Sequence, residues 1–405
     1  MLNFNRLKDC VVTNKNVIVR VDINVPIVSG VIEDDTRIKA IIPTIKYLAS
    51  QNAKVIIISH FGRPVLNLEN KFDQSSSLRQ LLPRIQELLS GINVKFIDDC
   101  IGDKVASEVS NGKYGEVILL ENLRFYNQET KNDQEFARKL ASIANLYVND
   151  AFSCSHRAHA SIVGIPQFLK SCAGFLMEKE LENLTNLLEN AKKPMMAVVG
   201  GAKISTKIDL LYSLSNKANS ILVAGAMANS FLFALGKNIG KSLCEKDLKD
   251  TALKIIEVAK KNNCQIILPK DVVVTNNLKA GAICRVVDVD DVTDNDIIAD
   301  IGPMSIYSLI NELEKQQTLL WNGPLGAFEI KPFNVGTEIF ARAAAYLTAK
   351  KQLLSIAGGG DVVSALNAAG LFDQFSYIST AGGAFLEWLE GKELPGIKVL
   401  NKSFK

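Results

Sequence analysis

The chain is poor in the residues from which metal frames and covalent frameworks are built. It has three histidines, two tryptophans and seven cysteines in 405 residues. The cysteines (Cys10, Cys100, Cys154, Cys172, Cys244, Cys264 and Cys284) are scattered, with no Cys-x-x-Cys pair. That excludes the usual zinc spacing and a disulfide frame, and points to reduced thiols. His156 and His159 lack a third His or a Cys/Asp set at ligand spacing, so structural or supporting roles suit them better than metal ligation. No apolar run reaches the roughly 18 residues of a membrane span. The nearest, 221–235, is interrupted by Asn229 and Ser230. The opening MLNFNRLKDC has no apolar stretch of signal-peptide type. A cytoplasmic protein without a membrane partner is therefore expected. Lys+Arg 46 against Asp+Glu 43 leaves a net charge of +3 with no basic block, so no nucleic-acid arm is expected either. There is no GxGxxG. The segment GKNIGKS at 236–242 fails as a phosphate loop, because its glycines are too closely spaced and it follows a helical pattern.

What is present is ordinary globular composition, 47% hydrophobic and 22% charged, in a length that favours two domains. Apolar strand-like runs alternate with helix-like segments from end to end. The pattern predicts an α/β fold of two doubly wound, Rossmann-like halves, each a parallel sheet covered on both faces. In such sheets ligands sit beyond the C-terminal strand ends, so the residues just after each strand are the informative ones.

In the first half those residues are cationic. A strand over 16–25 carries Arg20, Asp22 and Asn24 in alternation, and Asp34-Asp35-Thr36-Arg37 opens a helix. Later strands run into His60 and Arg63, into Arg124, and into Arg157. Nine of the eleven arginines and all three histidines lie at or before position 159. A single arginine is usually a solvated surface group. Recurrence at strand ends instead predicts a basket of Arg37, Arg63, Arg124, Arg157 and His60 for a small, multiply charged anion, because guanidinium binds carboxylate and phosphate bidentately.

Between Gly174 and Pro194, Met177, Leu181, Leu184 and Leu188 recur at helical spacing. This predicts a connector helix over 175–192 between domains spanning 1–174 and 193–390. In the second half the strand ends carry glycines: Gly200-Gly201-Ala202-Lys203 with Lys207 one helical turn on, Ala224-Gly225-Ala226, Asn322-Gly323-Pro324 with Glu329 beyond, and Gly358-Gly359-Gly360-Asp361. Glycine turns of this kind let backbone N–H groups approach phosphate at a helix N-terminus. Asp361, an acid where an anion would bind, suggests a bridging cation. The plainer reading of GGGD is a sharp turn with Asp361 as a helix cap.

Taken together the segments RVDINVP (20–26), DDTRIKA (34–40), SHFGRP (59–64), LLENLRF (119–125), VNDAF (148–152), HRAH (156–159), GGAKISTKI (200–208), LPKDVVV (268–274), LWNGPLGAFE (320–329), GGGD (358–361) and LEGKELPG (389–396) resemble the phosphoglycerate kinase family over essentially the whole chain. The resemblance implies two hinged domains, a monomer, and reversible phosphoryl transfer between 1,3-bisphosphoglycerate and MgADP giving 3-phosphoglycerate and MgATP. It implies a substrate set of Asp22, Asn24, Arg37, His60, Arg63, Arg124 and Arg157. It implies a nucleotide set of Gly201, Lys203, Lys207, Gly225, Asn322, Pro324, Glu329, Gly358, Gly359, Gly360, Asp361 and Val362, with Asp361 on the Mg²⁺ and Arg37 and Lys203 catalytic. A tail over 391–405 is implied to pack back on the first domain. The chain departs from the family pattern at Val362, where a hydroxyl is usual, and at Ala224, Ala226, Ala381, Phe385 and Ser153-Cys154-Ser155. These departures suggest altered nucleotide affinity. The alternative is a fold-retaining binding protein with impaired turnover. The missing GxGxxG counts against a dinucleotide dehydrogenase.

Overall fold

The computed structural model describes residues 4–64, 73–379 and 381–401. The chain divides into two compact units, Met1–Thr185 with Glu393–Lys405, and Asn186–Lys392. Thr380 and residues 402–405 of the expected tail lie outside the described residues.

The first unit holds β1 (Asn16–Val21), a small hairpin of β2 (Ile27–Val28) and β3 (Val31–Ile32), then β4 (Lys54–Ile58), β5 (Val94–Ile97), β6 (Val117–Leu120), β7 (Leu146–Asp150) and β8 (Ser171–Ala173). Six of these form one sheet in the order β5-β6-β4-β1-β7-β8, every neighbouring pair parallel. Strands such as β6 are apolar without interruption because both faces of a parallel sheet are covered. Alternation then sorts their side chains. Val17, Val19, Val21, Val55, Ile57, Leu119 and Val148 enter one core cluster, and Ile18, Ile56, Ile58, Ile118, Leu120 and Tyr147 the other. Each fully buried aliphatic side chain stabilises the unit by about 1.5–3 kcal/mol.

Two details differ from the sequence reading. Strand β1 stops at Val21, so Asp22 and Asn24 sit in the loop beyond it. Arg20 does not share a face with them in a strand; it is wholly buried, donating through Nε to Ser161 Oγ at 2.9 Å. In the sheet order β1 has β4 on one side and β7 on the other, and Val21 pairs with Asp150. The chain reverses its building direction there, which leaves a crevice between the two strand ends.

The second unit contains β9 (Met195–Val199), β10 (Ser220–Val223), β11 (Gln265–Ile267), β12 (Asp271–Thr275), β13 (Cys284–Asp288), β14 (Ile297–Ile301), β15 (Thr318–Asn322), β16 (Leu354–Gly358) and β17 (Tyr377–Ser379). Its main sheet is parallel, in the order β11-β10-β9-β15-β16-β17. The reversal falls between β9 and β15. A further sheet, β13-β12-β14, is antiparallel. This departs from the parallel sheets that the alternating pattern predicts, because apolar runs such as Val272–Val274 carry no mark of strand direction. The main core gathers Met196, Val198, Leu222, Leu319, Trp321, Phe340 and Leu366 around the sheet.

The helix Phe175–Asn190 begins against Asp150 at the end of β7. Asp150 is fully buried, and its Oδ1 accepts from the Leu176 and Met177 N–H groups at 2.9 and 3.1 Å. A carboxylate at a helix start stabilises the unpaired N–H groups there. Burial nonetheless pushes Asp150 up to about 6.

Candidate active site

In the first unit the crevice between β1 and β7 is lined by charge. Asp22 is nearly buried, and its Oδ2 accepts from Arg37 Nη1 at 3.0 Å and from Ser153 Oγ at 2.5 Å. Burial works against its charge, but Arg37, His60 and these hydrogen bonds hold it below the usual carboxylate range. Arg37 sits in the first turn of the helix Thr36–Ser50 and also donates to the Asn24 carbonyl at 3.0 Å. About a third of its side chain (36%) remains exposed, so its free guanidinium nitrogens are available to a ligand. The Asn24 side chain is spent on structure: Oδ1 accepts from the Gly62 N–H at 2.9 Å.

His60 ends the β4 run, buried, with Nδ1 at 3.1 Å from Arg20 Nη2. Burial and then the Arg20 charge, with Arg124 and Arg157 adding to it, hold its pKa well below the ordinary histidine value. His159 is driven down to about 4 by burial and by the same three arginines. Its approach to Glu129, 3.7 Å, is therefore a contact of a neutral ring at neutral pH. Arg124, half-buried, is lowered by burial and by Arg157, and donates to the Gly62 carbonyl at 2.5 Å. Arg157 donates from Nε to His156 Nε2 at 3.1 Å. Arg63 is exposed. Thus Arg20, Arg124 and Arg157, with His60 and His159 among them, form one field of repulsion, which is what an anion would relieve, while Arg37 stands apart on Asp22.

Two residues escaped the sequence reading. Arg20 was visible in the alternation, but its burial was not. Asn122, fully buried, accepts from the N–H groups of Phe61 and Arg124 at 3.0 Å each and donates to the Phe61 and Ser76 carbonyls at 2.7 and 2.8 Å. It thereby fixes the loop bearing His60 and Arg63 to the turn bearing Arg124. Its only trace in the sequence is its place inside ENLRF.

Among the described residues, Asp22, His60 and Cys154 are a buried set close enough to hold a metal ion. The Arg20 guanidinium lies 3.1 Å from His60 Nδ1 and 3.7 Å from Cys154 Sγ, so a cation already stands among these donors. A divalent ion there would meet the Arg20 charge at close range, so the set is a poor metal site.

In the second unit the strand ends of β9, β15 and β16 are tied together by two side chains. Lys207 Nζ donates to the Gly200 carbonyl at 2.7 Å and to Asn322 Oδ1. Asn322 Nδ2 donates to the Gly358 carbonyl at 2.6 Å. The backbones at Gly200 and Gly323 nearly touch: a Cβ on Gly200 would stand 2.0 Å from the Pro324 carbonyl oxygen. Gly359 has φ +107, and a Cβ there would meet Asn322 Nδ2 at 2.5 Å. It caps the helix Gly360–Ala368, whose first turn carries the exposed Asp361. Burial lowers Lys207 to about 8, with Asp361 opposing.

A cleft of about 430 Å³ opens beside these turns. Its walls include Gly201, Gly225, Pro324, Glu329 and Asp361, with Asn229, Lys241 and Asp300 among the rest. Asp300 was not foreseen; its oxygens accept from Gly336 and Ile301 N–H at 2.8 and 2.9 Å, and burial raises it to about 7.

Lys203 and Lys207 do not share a face of one helix. Lys203 is extended and exposed, a 3₁₀ turn (Ile204–Thr206) follows, and the α-helix starts only at Ile208. Val362, wholly buried in the core cluster with Trp321 and Leu366, directs its side chain away from the cleft. Ala224 and Phe385 are buried as well, the Phe385 ring filling the space beneath Gly358. Of the small-residue departures, Ala226 is the one on the cleft wall.

The family model described as phosphoglycerate kinase matches residues 7–392. A phosphoglycerate kinase from Rhodospirillum centenum is 49% identical over 397 residues, covering 98% of this chain and 99% of that one. One from Methylorubrum extorquens is 49% identical over 401 residues, covering 99% of each. Among solved structures, that of phosphoglycerate kinase from Coxiella burnetii has a TM-score of 0.89 at 41% identity, over 99% of this chain and 100% of that one. The enzyme from Pyrococcus horikoshii matches with a TM-score of 0.83 at 30% identity, over 98% of each chain. A match that spans both units and both sets of strand-end residues places this chain in the phosphoglycerate kinase family.

Proposed function

We propose that the protein catalyses reversible phosphoryl transfer between 1,3-bisphosphoglycerate and MgADP, giving 3-phosphoglycerate and MgATP. The observation that carries this reading is the gathering of Arg20, Arg124 and Arg157 around His60 and His159, which burial and then these charges hold neutral. A compact trianion answers that field. Arg63, Arg124, Arg157 and His60 bind its carboxylate and phosphate, while Asp22 orients its hydroxyl, with Asn24 holding the loop.

The acceptor is a carboxylate, ionised at neutral pH, so no general base is needed. Catalysis then reduces to positioning and to neutralising charge on the transferring group. Arg37 and Lys203 supply that neutralisation. Gly201, Gly225, Pro324 and Glu329 form the nucleotide cleft, Lys207 and Asn322 hold its strand ends in register, and Gly358, Gly359 and Gly360, with the Val362 N–H, receive phosphate at a helix start.

Asp361 offers a single hard oxygen ligand at that helix start, which suits Mg²⁺, an ion that takes its remaining ligands from phosphates and water. When bound, Mg²⁺ neutralises phosphate charge. On the same reading the protein is a cytoplasmic monomer with no nucleic-acid or membrane partner. Among the described residues no helix is long and apolar enough to cross a membrane.

A coupled assay with 3-phosphoglycerate and MgATP tests the reading. Turnover of at least about 10 s⁻¹ is expected, within the ordinary enzyme range. Turnover near background, with both ligands still binding, would instead support the binding-protein alternative.

A further inference from the structure

The first unit holds a second pair of reactive groups that no step above uses. Its amino-terminal segment runs along the free edge of β8. Arg6 bridges Ala173 in parallel, the Ala173 N–H donates to the Asn5 carbonyl at 2.9 Å, and Asn5 Nδ2 donates to the Ser171 carbonyl at 3.2 Å. A single 3₁₀ turn, Leu7–Asp9, then leads to Cys10, whose N–H donates to the Leu7 carbonyl. Cys10 is half-buried and packs on the core cluster that contains Cys172, the wholly buried centre of β8. Cys10 Sγ donates to the Arg6 carbonyl at 3.5 Å, and the two thiols are close enough to shift each other's titration.

The same segment grips the start of the helix Phe175–Asn190. Arg6 pairs with Glu178, and with Glu182 at 2.7 Å, while the Lys8 ammonium stands 5.7 Å from the centre of the Phe175 ring. A covalent link at Cys10 would therefore fix both the sheet edge and the first turns of that helix.

The two sulfurs differ in character. The neighbouring Cys172 thiol lowers Cys10 to about 7; burial and Asp9 oppose, and Lys15 and Lys170 assist. Cys172 is raised well above the ordinary thiol value by Cys10 and by burial. A partly exposed thiolate beside a buried thiol is the usual division between attacking and resolving sulfur.

We propose that Cys10 and Cys172 form a reversible redox site, in which a low-molecular-weight disulfide closes a staple between the amino-terminal segment and β8. The Cys10 thiolate attacks one sulfur of glutathione disulfide, forming a mixed disulfide and releasing one glutathione thiolate. The Cys172 thiol gives its proton to that thiolate. Its sulfur then attacks Cys10 Sγ, releasing the second glutathione. Two protein thiols are oxidised, and one disulfide is reduced to two thiols. The sulfurs must close to about 2.05 Å, so Cys10 Sγ leaves the Arg6 carbonyl and its half-buried side chain turns toward β8.

The test incubates the full chain with glutathione disulfide at neutral pH and maps its peptides without reduction. A Cys10–Cys172 linked peptide is expected, reversed by dithiothreitol. Cys172→Ala is expected to accumulate glutathione on Cys10, and Cys10→Ser to yield neither the link nor an adduct on Cys172. Amide exchange of residues 4–9 is expected to slow about tenfold or more in the oxidised wild type. Glutathione on the exposed Cys284 without any Cys10–Cys172 link would overturn the proposal. So would a link that forms only in urea, or unchanged exchange of residues 4–9. Should Cys172→Ala fail to fold, wild type and Cys10→Ser decide between these outcomes.

Discussion

Arg37 is committed on one side only. It donates to Asp22 and to the Asn24 carbonyl through Nη1, which leaves the rest of its guanidinium for the role we propose, at the transferring phosphoryl group. Removing such a charge costs transition-state stabilisation that ground-state binding does not share. Arg37→Ala and Lys203→Ala are each expected to lower kcat about a hundredfold or more in the coupled assay. Near wild-type turnover in both would remove them from the chemistry. Val362 makes the opposite case. Its sequence position suggested a missing phosphate-binding hydroxyl, but its side chain is buried with Trp321 and Leu366. A hydroxyl there would have to be desolvated. Val362→Thr is expected to leave the Michaelis constant for ATP within about twofold and to lower stability by roughly 1–3 kcal/mol in urea unfolding. A clear gain in ATP affinity would restore a role for the hydroxyl.

At the scale of elements, the strand ends decide what the site is made of. Asp150 ends β7 and starts the helix Phe175–Asn190, so one side chain serves two elements. Burial raises it to about 6, above the ordinary 3.8 of an unfolded chain. The native state therefore holds this proton more tightly than the unfolded state. Its stabilisation is complete below the unfolded pKa and is lost as pH rises through the folded one. Across that window wild type should lose up to roughly 3 kcal/mol through this group. Asp150→Asn keeps an acceptor oxygen for the helix N–H groups without the charge. The variant is expected to lack this slope and to match or exceed wild type in melting temperature at pH 8. Parallel pH profiles for the two proteins would contradict the assignment.

At the scale of the whole molecule, the carboxyl-terminal segment belongs to the first unit although the second unit intervenes in the chain. The Gly396 N–H donates to the Ser155 carbonyl at 2.9 Å, and Val399 packs with Ala151, Cys154, Ile162 and Val163. That contact lies directly behind Ser153, which donates to Asp22. Removing residues 393–405 would take away the buried Leu394, Ile397, Val399 and Leu400 and uncover Ala151, Cys154, Ile162 and Val163. A loss on the order of 5 kcal/mol from the first unit is expected. Calorimetric titration should show 3-phosphoglycerate affinity falling about tenfold or more, with nucleotide affinity within twofold. Equal loss of both ligands would mean that the segment supports more than the first unit.

The sequence by itself determined the α/β class, the strand ends that matter and the residue types gathered there. Periodicity and turn chemistry are local properties, and Arg124 or Gly358 can be placed at a strand end without knowing what lies beside it. Only the tertiary structure decided which of these groups face a ligand and which are spent on structure. Arg20 and Arg37 look alike in the chain, yet one is wholly buried and the other stands about a third exposed beside Asp22. Asn122 and Asp150 act through backbone groups of segments distant in sequence, and no local pattern records such partners. The antiparallel β12–β14 sheet and the burial of Val362 were hidden for the same reason: direction and facing are set by packing. The GGGD turn shows both sides. Its glycines were legible as the turn that starts a helix, while the bond from Asn322 to Gly358 that holds it in place exists only because β15 and β16 are neighbours in the sheet.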